Sequence, residues 1–140
     1  MTKAQDSHVS NEEQNVINSP ISQEIAQIAA ELDQAAVRIR ELNDRLRTTG
    51  RGGMVTMTNG IAAQAADTVK AIFAAVATFT DFNPDNDPWG THDCAVITVN
   101  GHRVIWKIDY YDRSRRIHSP DAADPRVTVR VLTVMLADEY

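Results

Sequence analysis

Residues 94–111 read CAVITVNGHRVIWKIDYY, two runs rich in β-branched and aromatic residues separated by Asn100 and Gly101. Asn followed by Gly suits a two-residue type I′ turn, whose twist matches that of the flanking strands. The stretch therefore predicts a hairpin, Cys94–Val99 with His102–Tyr111. Val99 then faces His102, further pairs follow by counting outward, and alternation sorts the side chains by face. Val99, Ile97, Ala95, Val104, Trp106 and Ile108 share one face, the core. The other carries Val96 with Ile105, Thr98 with Arg103, Cys94 with Lys107, and His92 with Asp109.

Upstream, residues 80–91 read TDFNPDNDPWGT, too dense in Asp, Asn, Pro and Gly for a helix or central strand, and predict a long ordered loop. Before it, Val69, Ile72, Phe73, Val76 and Phe79 recur at helical spacing and predict a helix over 61–79. Met54–Thr58 reads as a short strand. Ser19 and Pro20 form an N-cap and first-turn pair, and Gly50, Gly52 and Gly53 stop the helix that begins there. Downstream, Asp124 and Pro125 repeat the capping chemistry, and Val127, Val131, Leu132, Met135 and Leu136 predict a final amphipathic helix. The expected organisation is a disordered tail over 1–18, a long amphipathic helix over 19–49 and a compact α+β domain over 50–140. That domain is expected to be a small, largely antiparallel sheet, a short strand plus the hairpin, with three helices in all packed around it.

A length of 140 residues suits one domain, 43% apolar residues supply a modest core, and 24% charged residues argue against wholesale disorder. The longest apolar run, Ala71 to Ala77, falls far short of the ~20 residues of a membrane span, and residues 1–20 lack the apolar region of a secretion signal. A cytoplasmic protein with no membrane contact is expected. One cysteine, Cys94, excludes an intramolecular disulfide and a cysteine-cluster metal site. A net charge of −5 disfavours nucleic acid as partner. The charges are segregated. Arg38, Arg40, Arg45, Arg47 and Arg51 crowd one helix end, read as a solvated face with nucleic-acid binding as the lesser alternative, whereas Asp81, Asp85, Asp87 and Asp93 lie in a stretch without Lys or Arg.

Three constellations carry chemistry. His92 opposite Asp109 would let a carboxylate orient an imidazole for acid-base work, with Cys94 two residues away as a nucleophile; the simpler reading is a cross-strand ion pair and a buried small hydrophobe. Asp81, Asn83 and Asp85 occupy the first, third and fifth places of a calcium loop. Asn86 stands where Gly is needed and His92 where Glu is needed, so no metal and no cofactor are expected. Trp89, Tyr110 and Tyr111 frame a surface or anchor the loop onto the core. Binding residues are expected to be Asp81, Asp85, Asp87, Trp89, Asp93, Tyr111 and Asp112.

The first helix has a seven-residue repeat, with Ile25, Leu32, Ile39 and Leu46 at a and Ile21, Ile28, Ala35 and Leu42 at d. Its g positions are Glu24, Glu31, Arg38 and Arg45. An antiparallel homodimer through 21–46 sets Glu24 near Arg45 and Glu31 near Arg38; the alternative is a helix that caps its own domain.

The segments RIRELNDRLR, GGMVTMTNGI, FNPDNDPWGTHD, WKIDYYD, SPDAADP and RVLTVMLADEY resemble a bacterial family known as domain of unknown function 3768, over roughly Arg38 to Tyr140. His92, Asp93, Asp109 and Asp112 match its pattern. Cys94 and Ala95 stand where the family has Phe and Gly, which argues against Cys94 as a family nucleophile. The resemblance implies a small bacterial protein associated with mobile elements and brings no activity with it. The leading expectation is a non-catalytic protein-binding or regulatory module, in one form an inhibitor of host defence (anti-CRISPR or anti-restriction) acting through an acidic surface. The rival is a small hydrolase or metal-dependent enzyme using His92, Asp93 and Asp109.

Overall fold

A computed structural model of the chain describes residues 11, 12, 15 and 19–140. Of the expected tail, only Asn11, Glu12 and Asn15 are described, and all three are helical and exposed; the rest of 1–18 lies outside the described residues. The chain divides into two compact units, Met1–Gln34 and Ala35–Tyr140. In order, the elements are α1 (Pro20–Thr49), β1 (Met54–Met57), α2 (Asn59–Ala62), α3 (Ala66–Thr78), β2 (Cys94–Val99), β3 (His102–Tyr111), β4 (Val129–Leu136) and a closing 3-10 turn, Ala137–Glu139.

In the first unit, the Ser19 hydroxyl accepts from the Ser22 amide at 3.2 Å, so the expected N-cap is in place. The second unit is an α+β domain. Its strands run β1-β4-β3-β2 in one sheet, with β4–β3 and β3–β2 antiparallel and β1–β4 parallel. The hairpin has the register counted from Asn100 and Gly101, from Val99 opposite His102 to Cys94 opposite Lys107. Both turn residues have positive φ, 49° and 80°, as a type I′ turn demands.

Three expectations need correction. Residues 129–136 form β4, where a final helix was expected, and β4 makes the sheet mixed rather than largely antiparallel. The segment is dense in Val and Thr, which fit a pleated surface better than a helix, and Asp124 accepts from the Arg126 amide in a local turn instead of capping. The helix expected over 61–79 is broken between Ala62 and Ala66, giving α2 and α3.

The core lies on one face of the sheet. Ala95, Val104, Trp106, Ile108, Leu132 and Val134 meet Leu46 of α1, Ile61 of α2, and Ile72 and Val76 of α3. The close approach of α1 and β4 depends on Gly53, where a Cβ would collide with the Arg130 carbonyl and press on a Leu46 methyl. The opposite face carries Met54, Val131, Ile105 and Val96, of which Met54 and Val96 are exposed. Among the described residues, no helix is long and apolar enough to cross a membrane.

Candidate binding site

Three residues of the α1 stretch LNDRLR set the site up. Leu42 and Leu46 turn inward, which carries Asn43 and Arg47, the positions beside them, into the same interior. Asn43 is fully buried. Its amide nitrogen donates to the Thr91 carbonyl at 2.9 Å and to the Tyr110 hydroxyl at 2.7 Å, while its oxygen accepts from Arg130 Nε at 2.6 Å. Arg130 projects from the core face of β4, with 1% of its surface exposed. Its Nη2 donates to the Ala122 carbonyl, and its guanidinium lies 5.0 Å from the centre of the Tyr110 ring. Burial pushes the Tyr110 hydroxyl up to about 12, so it stays protonated.

Arg47 is not on a solvated face. Its Nη1 donates to the carbonyls of Val76, Ala77 and Phe79, where α3 ends, at 2.8, 3.2 and 2.9 Å. A guanidinium there satisfies orphan carbonyls and meets the negative end of the helix dipole. The same group lies 5.3 Å from the Phe82 ring centre and 5.2 Å from that of Trp106, and Nη2 pairs with Asp44 at 2.9 Å.

These α1 side chains hold the loop over 80–93. Arg40 donates to the Gly90 carbonyl at 3.1 Å, and Asn43 takes the Thr91 carbonyl. His92 stacks on Phe82 with 3.7 Å between ring centres and 6° between planes. Its Nδ1 donates to Asp44 at 2.9 Å, and its Nε2 lies 3.7 Å from Asp87. Within the loop, the Asn83 side chain accepts from the Asp85 and Asn86 amides, and the Asn86 side chain accepts from the Asn83 amide and donates to the Asp81 carbonyl. The calcium-like spacing is thus occupied by local turn bonds. No group of three or more His, Cys, Asp or Glu among the described residues has the geometry of a metal site.

His92 and Asp109 do not form the expected pair. His92 has φ of 53°, outside extended geometry, so the strand alternation ends before reaching it and its ring turns toward α1. Asp109 instead binds Lys107 Nζ at 2.8 Å, which raises the lysine pKa chiefly through that hydrogen bond. Asp93 is pushed up, first by burial and then by the charge of Asp87; Cys94 is exposed, not the buried small hydrophobe expected, but partial desolvation on the sheet and then Asp93 push its thiol up as well. That environment is the reverse of what activates a nucleophile.

The remaining expected binding residues scatter. Asp81 and Asp85 are exposed; Asp87 is buried, with its carboxylate accepting from the His92 amide at 3.2 Å. Trp89 is 80% exposed, next to the anchored Gly90, and lines a shallow depression of about 380 Å³ with Phe82, Asn83, Pro84, Asp87 and His92. Tyr111 and Asp112 lie beyond, at the end of β3, where the Asp112 carboxylate accepts from Ser114 and from the Arg116 and Ile117 amides and is held below its ordinary value, chiefly by Ser114. Sequence reasoning missed Asn43, Asp44, Arg47, Phe82 and Arg130. The usable signal was the spacing of Asn43 and Arg47, each next to an inward leucine.

The seam on α1 divides. Leu42 and Leu46 are committed to the core of their own domain and Ile39 is half-buried, whereas Ile21, Ile25, Ile28 and Leu32 are each at least half exposed.

The fold and site are those of a small α+β protein whose ordered acidic loop is clamped by side chains of a helix. The family described as "Protein of unknown function (DUF3768)" matches residues 57–139, more than half of the chain, and the protein belongs to that family. The matched span holds the loop and all four strands but β1's first residues; the α1 clamp lies outside it. No curated protein and no solved structure matches the chain.

Proposed function

We propose that the protein is a non-catalytic protein-binding module whose recognition element is the loop over 81–92. One observation carries the reading: Trp89 is 80% exposed on a loop whose flank is fastened to α1 through Arg40, Asn43 and Asp44. A large aromatic held in water by a rigid frame binds with little further loss of conformational freedom, and aromatic anchors dominate interface energetics. Exposed Asp81 and Asp85 beside it favour a partner surface carrying Lys or Arg. Inhibition of a nucleic-acid-handling defence system is the narrower form of this reading. With Asp87 buried, two exposed loop carboxylates support contact with a basic protein better than imitation of a phosphate backbone. The hydrolase alternative needs His92, Asp93 and Asp109 to converge, and the ring nitrogens of His92 face Asp44 and Asp87 instead.

The test is capture from native cells with three baits, the wild type, Trp89→Ala and Asp85→Asn, all checked for unchanged melting temperature. A stoichiometric protein retained by the wild type and lost from Trp89→Ala supports the proposal. A partner equally retained by Trp89→Ala, or none at all, refutes it.

A further inference from the structure

The chain presents two apolar faces that its own core does not use. One is the stripe Ile21, Ile25, Ile28 and Leu32 on α1, with 50–70% of each residue exposed. The other is the outer face of the sheet, where two apolar rows, Met54 with half-buried Val131 and Val96 with half-buried Ile105, flank a middle row of Thr56, Thr133, Lys107 and Cys94; Met54 and Val96 are 43% and 48% exposed. At one end of that face, Asn86, Cys94, Val96 and Ile105 line a depression of about 240 Å³, enough to receive an aliphatic side chain.

The charges around the two faces are opposite. From Ser19 to Val37 the helix carries Glu24, Glu31 and Asp33 and no Lys or Arg. The sheet face carries Arg103 and Lys107, and Arg115 reaches Met54 Sδ at 3.4 Å; against these three cations stand two carboxylates, Asp109, bound to Lys107, and Asp93, bonded to the Cys94 thiol. The dimensions agree too. Ile21 to Leu32 spans about 17 Å at 1.5 Å per residue, against roughly 14 Å across four strands and roughly 26 Å along the eight residues of β4.

Helix-to-helix pairing fits less well. The antiparallel register that matches Glu24 with Arg45 and Glu31 with Arg38 layers Ile25 on Leu42 and Ile21 on Leu46, and both leucines are buried in their own domain. The register using only the free residues, Ile21 on Leu32 and Ile25 on Ile28, sets Glu24 against Glu31 twice about the two-fold axis, a like-charge contact.

We propose that the protein forms a reciprocal homodimer in which the exposed half of α1 of each copy lies on the outer sheet face of the other. Each chain holds one helix stripe and one sheet face, and in the proposed two-fold exchange both are covered; a mass above the dimer would mean that the contact runs on from copy to copy instead and would overturn the reciprocal arrangement. The interaction meets the 81–92 loop only at Asn86 and does not use Trp89, so it stands or falls independently of the partner-binding reading.

Light scattering on the full chain at tens of micromolar reads the mass. The wild type is expected to be a dimer. Two double variants, Ile28→Asp with Leu32→Asp on the helix and Met54→Glu with Val96→Glu on the sheet, are each expected to be monomeric with wild-type near-ultraviolet circular dichroism. Mixed in equal amounts they re-form a dimer, detected by cross-linking at raised concentration, because one brings an intact sheet face and the other an intact helix. Arg103→Glu with Lys107→Glu provides a second sheet variant that removes no apolar packing; it is expected to weaken the dimer at least ten-fold and to recover with Glu24→Lys and Glu31→Lys. A monomeric wild type, a dimer indifferent to both sheet variants, or failure of the mixed variants to associate overturns the proposal.

Discussion

Replacing Asn43 by Ala isolates the polar centre of the fold. The side chain makes three hydrogen bonds, accepting from Arg130 Nε and donating to Tyr110 Oη and the Thr91 carbonyl. Two are neutral and contribute about 1 kcal/mol each, whereas the third satisfies a charged donor, and leaving that donor dry costs about 2 kcal/mol or more. Arg130 is 1% exposed and, among the described residues, none of its bonds is to a carboxylate, so water cannot replace the lost acceptor without opening the core. The helix gains a few tenths of a kcal/mol from Ala. The expected net loss is about 3–4 kcal/mol, roughly 15 °C in melting temperature for a domain of this size. Urea unfolding followed by tryptophan fluorescence reads it, because Trp106 is buried and reports the core while Trp89 is already in water. Tyr110→Phe removes one neutral bond and is expected to cost about 1 kcal/mol. An Asn43→Ala variant within 1 kcal/mol of the wild type would refute the reasoning, since the buried guanidinium would then not depend on its acceptor.

Arg47→Met keeps the aliphatic volume but strips the donors from three carbonyls at the end of α3, and is expected to cost about 2–3 kcal/mol in the same assay. Glu139 accepts from Thr58, Leu136 and Gly60, and these bonds, Thr58 foremost, hold its carboxyl below its ordinary value of 4.5. Its contribution is therefore complete above pH 4.5 and lost as pH falls through the depressed folded value, so the stability gap between wild type and Glu139→Gln is expected to close in acid and persist at pH 7. Cys94, raised above 9.0 by burial and by Asp93, is expected to alkylate slowly at pH 7 and faster above pH 9; rapid alkylation at neutral pH would contradict its environment.

The hairpin was legible because its information is local: one Asn-Gly pair sets the register, and the register sorts every side chain. The sheet around it was not, because β1 has no partner within reach along the chain and pairs only with a strand that arrives more than seventy residues later. The His92 pairing failed for a related reason. Counting outward assumes extended backbone, and a single residue at φ 53° ends the count, redirecting the ring to Asp44, forty-eight residues upstream.

The misreading of β4 and the misplacing of Arg47 have one cause. Strand alternation in RVLTVML is broken by Arg130, which stands on the core face, and the Arg segment of α1 looks solvated because charge is taken to mean water. Yet both side chains end on backbone carbonyls, Arg47 at the end of α3 and Arg130 at Ala122, with an aromatic ring beneath the guanidinium. A planar, weakly hydrated cation with several donors can be buried wherever a helix end or a turn leaves carbonyls without partners. Lysine has neither the plane nor the fork. Arg47→Lys and Arg130→Lys are therefore expected to lose much of the stability lost on removing the charge altogether, and a lysine variant as stable as the wild type would show that charge alone, and not guanidinium geometry, holds the end of α3 and the turn at Ala122.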